Sequence, residues 1–354
     1  MEKVMLFLVT TVAPRLHPAP RMSAAMDHRS EMLGRLDGAL VLAPLTRAKL
    51  PFRRLCADFG CRVAFSEMAV AHKLLLDGYE GRRERSRLHR APNEDCFGLQ
   101  IATTRVSEGV FAGRLALESG CNFLDLNCGC PTPDVTGEGM GAALLQDPGR
   151  LAELVSEIVA GVPDLPVTVK LRTGSGDGVP GARAQTQAAG AMRAHRHRRR
   201  VPGSGDLVGK LPGESGGGLN IERVVKAVVE AGAAAVTIHG RTWSDRYTRD
   251  ADWNAISRGA LEAQQLARLH ARERVGGTGS REGSGGRGGG DGETAGNARG
   301  LDDGRGVRAW LSVTGSGDVF THEHAREMLQ VARIIACGVC GCDYGQGHTR
   351  AYSA

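Results

Sequence analysis

The sequence predicts an α/β protein built as a (β/α)8 TIM barrel. Short runs of apolar and β-branched residues recur eight times along the chain. The segments between several of these runs place apolar residues at three- and four-residue spacing, which is typical of helices. Strands that are apolar on both faces and alternate with helices indicate a buried parallel sheet. Eight such units in about 280 residues, once two glycine-rich stretches are set aside, match the size of this barrel.

The predicted strands end where turn residues or helical patterns begin. In chain order they cover 39–44, 62–65, 97–101, 122–126, 166–171, 234–239, 309–313 and 331–336, and the predicted helices cover 51–59, 106–119, 148–162, 221–231 and 322–329. A doubly wound sheet is the alternative, but it normally carries a glycine fingerprint after its first strand. The first strand here ends in Ala43-Pro44-Leu45-Thr46, which favours the barrel.

Glycine is unevenly distributed and divides the chain into regions. The chain has 50 glycines in 354 residues, and they concentrate at about 175–218 and 273–306, where few apolar residues remain to pack a core. We expect Gly- and Arg-rich insertions there, the second replacing much of the helix between strands six and seven. We also expect a poorly ordered segment at 1–37, a barrel at 38–336 and an irregular tail at 337–354. The eighth helix then looks missing, so the C-terminal end of the barrel is truncated.

Charge and cysteine usage limit the possible partners and compartments. The net charge of +6 permits a polyanionic partner, and the basic run at 193–200 is either a solvated loop or a nucleic-acid contact. No apolar run reaches the roughly 18 residues of a membrane span, so we expect no membrane partner. Nine cysteines in no secreted pattern indicate reduced thiols and a cytoplasmic or nuclear protein. An organellar presequence stays open, because an apolar run at 4–12 precedes several arginines.

Polar residues interrupt the apolar runs where the predicted strands end. In a barrel these ends form the face that carries the chemistry. We therefore expect a polar ligand pocket formed by Gln100, Asn127, Cys130, Lys170, Arg172, His239, Arg241 and the loop 315–318. That loop is glycine-rich and precedes a predicted helix, so its backbone N–H groups could hold a phosphate.

Cys130 lies in the sequence Asn127-Cys128-Gly129-Cys130-Pro131, directly after the fourth predicted strand. A thiol in a loop at the active face is expected to be reactive, whereas Cys128 is expected to be a buried structural thiol. The Cys-x-Cys pair could also be half of a metal site completed by the tail residues Cys337, Cys340, Cys342 and His348. These spacings match no common zinc pattern, so we predict no metal.

These motifs resemble those of the tRNA-dihydrouridine synthase family, and in detail its eukaryotic tRNA-dihydrouridine(47) synthase branch. The matching motifs follow one another in the family's order, at 42–46, 50–54, 65–68, 127–131, 141–148, 169–174, 238–242 and 246–253. The resemblance implies FMN-dependent reduction of uridine to 5,6-dihydrouridine in tRNA. Hydride from FMNH2 adds to C6, Cys130 as general acid gives a proton to C5, and NADPH or NADH reduces the flavin again.

The resemblance also implies site residues and partners. The implied FMN-binding residues are Pro44, Leu45, Thr46, Gln100, Lys170, His239, Gly317 and Asp318, and the implied substrate-binding residues are Asn127, Arg172, Arg241 and Arg246. The implied partner is tRNA, with no protein partner, and we expect a monomer.

Some family features differ or are not found in this sequence. Ser316 stands where the family has Asn, and Cys337 stands where it has an Arg that would bind the FMN phosphate, which removes a charge-assisted contact. The helical tRNA-binding domain and the zinc-finger region of this branch are not found in the sequence. Two alternatives therefore stay open: a flavin barrel acting on free pyrimidines, and a degraded, inactive barrel without stable FMN or tRNA binding. The block at 239–253 speaks against the first.

Overall fold

A computed structural model of the chain describes residues 22–36, 39–44, 49–175, 220–245, 249–276, 312–316 and 336–339. The strands in this part of the chain are β1 Leu40–Leu42, β2 Val63–Phe65, β3 Ala69–Val70, β4 Cys96–Ala102, β5 Phe123–Cys128, β6 Val167–Arg172, β7 Ala235–His239, β8 Ser312–Ser316 and β9 Ala336–Val339. The α-helices are α1 Met22–Leu36, α2 Leu50–Asp58, α3 Ala71–Leu74, α4 Gly78–Arg85, α5 Val106–Glu118, α6 Pro133–Thr136, α7 Pro148–Gly161, α8 Ile221–Glu230 and α9 Trp253–Gly276.

Eight of these strands form a closed parallel barrel, which confirms the predicted fold class. The strand order is β2-β1-β9-β8-β7-β6-β5-β4, and β2 also pairs with β4, which closes the ring. Every pairing is parallel, from Val41 opposite Gly338 at the β1–β9 seam to Ala64 opposite Phe97 where β2 meets β4. The two-residue strand β3 adds a short pairing at the end of β4.

Alternate residues of each strand face the surrounding helices. Leu99, Leu124, Val169 and Val236 belong to one large buried cluster that also contains residues of α5, α7 and α8. α7 begins at a capping residue, because Asp147 Oδ1 accepts a hydrogen bond from the Arg150 N–H at 3.0 Å and Pro148 occupies the first helical position. The outer layer thus follows the predicted alternation of buried strands and amphipathic helices.

The other residues of each strand face the barrel interior, and at its N-terminal end these are apolar. Val41, Val63, Phe65, Cys96 and Phe123 form a buried cluster with two residues of α1, Met32 and Leu36. The rings of the two phenylalanines meet edge to face, with centroids 4.9 Å apart. Helix α1 therefore covers the N-terminal end of the barrel, which we call its lower end.

Gly98 lets the ring of Phe123 fill the lower interior. A Cβ atom at position 98 would lie 2.0 Å from this ring, far inside van der Waals contact. The strand thus needs glycine at this point for steric reasons, since any side chain would displace the phenylalanine. The lower interior is a packed core.

The structure corrects three expectations about the order of the chain. Residues 22–36 form a helix, although we expected poor order throughout 1–37, because the apolar side of α1 is buried only by docking onto the barrel. The last strand is Ala336–Val339 and not 331–336, so the expected tail begins inside the barrel. The connection after β7 contains the 24-residue helix α9, so this helix is not largely replaced by the insertion.

Other expectations concern parts of the chain that are not described. The predicted helix at 322–329, most of both insertions and residues 340–354 lie outside the described residues. Within the described ranges, no helix combines the length and the hydropathy that a membrane span requires.

Candidate active site at the C-terminal ends of the strands

The upper half of the barrel interior is lined by buried polar side chains in three rows. Residues of one row lie side by side in the registers of neighbouring strands. From the middle of the barrel upwards, the rows are Gln100, Asp125 and Thr168; then Asn127, Lys170, Thr237 and Thr314; then Arg172, His239 and Ser316. These strands turn their other side chains outwards to the helices, so the polar rows face inwards.

A buried carboxylate holds the lowest of these rows together. Asp125 has no exposed surface, and its two oxygens accept separate hydrogen bonds, Oδ1 from Thr168 Oγ1 at 2.6 Å and Oδ2 from Gln100 Nε2 at 2.7 Å. Burial raises the pKa of Asp125 to about 6, against the hydrogen bonds and the nearby Lys170 ammonium, which lower it. The carboxylate therefore connects Thr168 of β6 and Gln100 of β4 in the centre of the barrel.

Hydrogen bonds connect this row upwards to the loop after β5. Gln100 Oε1 accepts a hydrogen bond from Asn127 Nδ2 at 2.8 Å. The other end of this amide, Asn127 Oδ1, accepts from the backbone N–H groups of Gly129 at 3.1 Å and Cys130 at 2.8 Å. Asn127 thereby fixes the first turn of the loop that carries the cysteine.

Cys130 is held by its backbone on both sides while its thiol stays partly accessible. Its carbonyl accepts from the Ala142 N–H at 3.0 Å, and Gly141 is needed beneath it because a Cβ there would lie 2.6 Å from the same oxygen. The Sγ atom lies 3.2 Å from Thr132 Oγ1, and the residue is half-buried. By contrast, Cys128 is fully buried on the outer face of β5.

Two arginines at the top of the barrel bind backbone carbonyl groups of the loops. Arg172 Nε donates to Gly129 O and its Nη1 to Thr242 O, both at 2.8 Å, so this side chain connects the cysteine loop to the loop after β7. Arg241 Nε donates to Arg249 O at 2.5 Å. Both residues are buried, and their predicted contact with substrate stays a prediction.

Three buried cations lie close together at this end of the barrel. Lys170, Arg172 and Arg241 are all near enough to His239 to affect its pKa. Burial lowers the pKa of His239 well below its ordinary value, and the three cations add to this, so the imidazole is neutral at pH 7. This cluster of cations favours an anionic ligand over a cationic one.

The side chains left with binding capacity fit a flavin. Lys170 is only 9% exposed, and among the described residues no hydrogen-bond acceptor or carboxylate pairs with its ammonium group. Gln100 keeps one N–H and one carbonyl lone pair beyond its contacts to Asp125 and Asn127. A donor, an acceptor and a buried cation suit the polar edge of an isoalloxazine ring. Within the described part of the chain, no three His, Cys, Asp or Glu side chains converge on a metal position.

Most of the predicted site residues meet at this end of the barrel. Gln100, Asn127, Cys130, Lys170, Arg172, His239 and Arg241 lie there, and Pro44 follows β1 at the same edge. Leu45, Thr46, Arg246, Gly317 and Asp318 lie outside the described residues. The Ser316 that replaces the family's Asn is buried at the end of β8.

Sequence reasoning missed Asp125, Thr168 and Thr237. The signal that could have found them is the alternation of polar and apolar residues within β5, β6 and β7, which distinguishes the two faces of each strand. A strand with polar residues at every second position in a barrel has a polar interior face.

Comparison with known proteins identifies the family to which the chain belongs. The family model described as dihydrouridine synthase matches residues 41–192 and 218–259, more than half of the chain. Proteins named tRNA-dihydrouridine(47) synthase (NAD(P)+) are similar to this chain. They include those of Cryptococcus neoformans, 34% identical over 226 residues and 62% of this chain, Aspergillus fumigatus, 33% over 250 residues and 64%, and Coprinopsis cinerea, 32% over 245 residues and 68%.

The match covers only part of these relatives. The chain spans 26%, 30% and 29% of their respective lengths, a quarter to a third of each. Among solved structures, a putative deoxyribose-phosphate aldolase from Toxoplasma gondii ME49 gives a TM-score of 0.43 at 12% identity, covering 90% of this chain and 92% of that chain. A putative lyase/mutase from Burkholderia cenocepacia J2315 gives 0.45 at 10% identity, covering 90% and 82%.

Proposed function

Because the chain belongs to the dihydrouridine synthase family, we propose that it reduces uridine to 5,6-dihydrouridine in tRNA with FMN as cofactor. The observation that carries this proposal is the thiol of Cys130, which backbone hydrogen bonds hold at the end of a barrel interior with buried polar and cationic side chains. The names of the similar fungal proteins supply the substrate class and the NAD(P) reductant, and we propose NADPH or NADH for this chain.

Four described residues would hold the cofactor. Pro44 would contact the ring, Gln100 would bind its polar edge, Lys170 would lie beside it as a cation, and His239 would face the phosphate end. When bound, FMN supplies the hydride that adds to C6 of the uracil ring. Leu45, Thr46, Gly317 and Asp318 complete the proposed site from outside the described residues.

Cys130 is proposed to give the proton that C5 of the uracil ring needs. A general acid must be protonated, within reach of the accepting carbon, and held in one orientation. The hydrogen bonds of the Cys130 N–H to Asn127 and of its carbonyl to Ala142 provide the fixed orientation. The half-buried thiol provides the access.

One base of the tRNA must leave its stack to reach the upper barrel interior, at a cost of a few kcal/mol. Asn127 is proposed to bind that base, with Arg172 at the end of β6 and Arg241 after β7 in support. Arg172 acts in this proposal by holding the Cys130 loop against the loop after β7. In the same proposal, Arg241 and Arg246 bind phosphate groups of the tRNA.

The experiment that tests this function compares two cysteines that are two residues apart. Protein loaded with FMN is given NADPH and a tRNA transcript that lacks dihydrouridine, and dihydrouridine is quantified by mass spectrometry. We expect Cys130→Ala to lower the rate by about 10²- to 10⁴-fold, the usual contribution of general acid catalysis, with FMN binding intact. Cys128→Ala is the matched control, because this thiol faces the helix layer, and it should keep the wild-type rate within about threefold.

Two results would contradict the proposal. An undiminished rate in Cys130→Ala would remove the thiol from the chemistry. Faster turnover of free uracil than of tRNA in the wild-type protein would favour the free-pyrimidine alternative.

A further inference from the structure

The hydrogen bonds from the barrel centre to the cysteine loop all run in one direction. Thr168 and Gln100 donate to Asp125, Asn127 donates to Gln100, and the backbone N–H groups of Gly129 and Cys130 donate to Asn127. This direction starts at the one group in the series that accepts only, since an ionised carboxylate has no proton to donate.

The carboxylate therefore favours one orientation of each amide above it, the same orientation that the donor-only N–H groups of the loop require. With Asp125 as acceptor, Gln100 must present its NH₂ downwards and its oxygen upwards. Asn127 must then present its NH₂ to that oxygen, which leaves its own oxygen for the loop N–H groups. Turning either amide by 180° would bring two donors face to face at one end and two acceptors at the other.

We propose that Asp125 is a positioning residue, which sets the hydrogen-bond polarity of the Gln100–Asn127 series and thereby the orientation of the Cys130 loop. The inference rests on the proposed function for its catalytic meaning. It goes beyond that function by assigning a role to a buried residue whose described hydrogen bonds go to Gln100 and Thr168 and not to the thiol.

Thr168 provides the means of testing polarity separately from charge. Its hydroxyl can donate or accept. In Asp125→Asn, the new NH₂ can therefore point to Thr168 Oγ1, and the new oxygen still accepts from Gln100. In Thr168→Val, the carboxylate loses one donor and still accepts from Gln100. Neither single variant reverses the series.

The double variant Asp125→Asn/Thr168→Val removes the partner that keeps the original direction. The new NH₂ at position 125 then faces either the apolar side chain introduced at position 168, where it is buried and unpaired, or the oxygen of a turned Gln100. The second arrangement leaves a carbonyl oxygen unpaired facing position 168, which is less costly than an unpaired NH₂, and moves the opposed donors up to the half-buried loop at Cys130, where water can reach them, so we expect it to be favoured. We expect the two substitutions to be strongly non-additive.

The decisive measurement follows the backbone N–H of Cys130 in the full chain labelled with ¹⁵N-cysteine. Its resonance is assigned by its loss in Cys130→Ala. In both single variants its hydrogen exchange should stay within about threefold of wild type. In the double variant it should be at least about tenfold faster than the product of the single effects. The N–H of Cys96, which donates to Arg62 O in the lower half of the barrel, is the internal control for global unfolding.

A conservative replacement and an activity assay complete the test. Asp125→Asn/Thr168→Ser keeps a hydroxyl at position 168, so it should behave as Asp125→Asn alone. If valine at position 168 prevents folding, alanine removes the hydroxyl without adding bulk and carries the same expectation. In the tRNA assay at saturating FMN, the double variant should lose at least about tenfold in kcat beyond the product of the single losses.

Two outcomes would overturn the inference. Additive exchange rates would show that polarity is not transmitted to the loop. An Asp125→Asn variant as impaired as the double variant would show that the negative charge matters and its acceptor-only character does not. Because amide exchange needs neither tRNA nor FMN, a chain that fails to reduce tRNA would contradict the proposed function and still test this inference.

Discussion

The lower and upper halves of the barrel interior are built from the same strands and differ in what their inward side chains do. On β5, Phe123 packs against Phe65 in a core that α1 covers, while Asp125 and Asn127, two and four residues further on, belong to a hydrogen-bonded series that ends at the Cys130 loop. The lower half is filled by its own side chains. The upper half keeps groups, such as the Lys170 ammonium, that no described residue satisfies.

This difference separates stability from chemistry along a single strand. Apolar residues in the lower half bury surface that stabilises the barrel. Polar residues in the upper half are costly to bury and are tolerated where they bind something. Substitutions in the two halves should therefore affect different measurements.

The largest expected effect on stability lies in the lower half. Phe123→Ala removes a fully packed ring and leaves a cavity beside Phe65 and Gly98, so the free energy of unfolding should fall by about 3–5 kcal/mol in a urea titration. Phe123→Leu, which keeps more of the volume, should lose less. A loss below about 1 kcal/mol for the alanine variant would mean that the lower interior is not the packed core of the barrel.

The next largest effect is a pH dependence that only the upper half should show. The pKa of His239 is well below its ordinary value of 6.5 in the folded protein, so the unfolded chain binds a proton first as the pH falls. Stability due to this group is therefore present above pH 6.5 and is lost on acidification, by up to about 1.4 kcal/mol per pH unit. The raised pKa of Asp125, about 6, has the opposite effect. The contribution of this group to the free energy of unfolding falls as the pH rises from about 4 to 6.

Urea titrations at pH 7 and pH 5 of wild type and His239→Gln separate these two contributions. The stability advantage of wild type over the variant should shrink by at least about 1 kcal/mol at pH 5, because only wild type must protonate a histidine on unfolding. Phe123→Leu is the control from the lower half, and its difference from wild type should not change with pH. Parallel curves for His239→Gln would contradict a neutral, buried histidine.

The smallest effect on stability is expected for Lys170→Met. The substitution removes an ammonium group without a partner among the described residues, which favours folding, and also removes its attraction to Asp125, which opposes it. We expect the free energy of unfolding to stay within about 1 kcal/mol of wild type. A loss as large as that of Phe123→Ala would make Lys170 a structural residue, and the contrast between the halves would fail.

The middle of the barrel could be predicted from the sequence, and its ends could not. Strands such as β5 and β6 have apolar residues at every second position and lie between predicted helices, so local pattern and tertiary burial agree there. The last strand, Ala336–Val339, has small residues and a glycine, and its pairing with β1 and β8 determines it. Helix α1 likewise owes its burial to the barrel floor, which a local pattern does not contain.

The site was predictable where its residues lie at strand ends and was missed inside the strands. Cys130, Lys170 and His239 lie after or near the ends of predicted strands, so the expected position of a functional face in a barrel pointed to them. Asp125 lies inside the predicted strand 122–126, where one acidic residue among apolar ones does not by itself indicate a site. Its role follows only from its contacts with Thr168 and Gln100. Distances of this kind depend on the register between strands, which a single sequence does not give.

The most direct test of the central claim, that the upper half is a flavin site and the lower half is its support, is a titration of the purified chain with FMN. Bound flavin is followed by its visible absorbance and quenched fluorescence. We expect saturation at about one FMN per chain in wild type, equal uptake by Phe123→Leu, and at least about tenfold weaker binding by Lys170→Met, since a charge-assisted contact is lost. A folded wild-type chain that takes up no FMN, or a Lys170→Met variant that binds it as tightly, would contradict the claim.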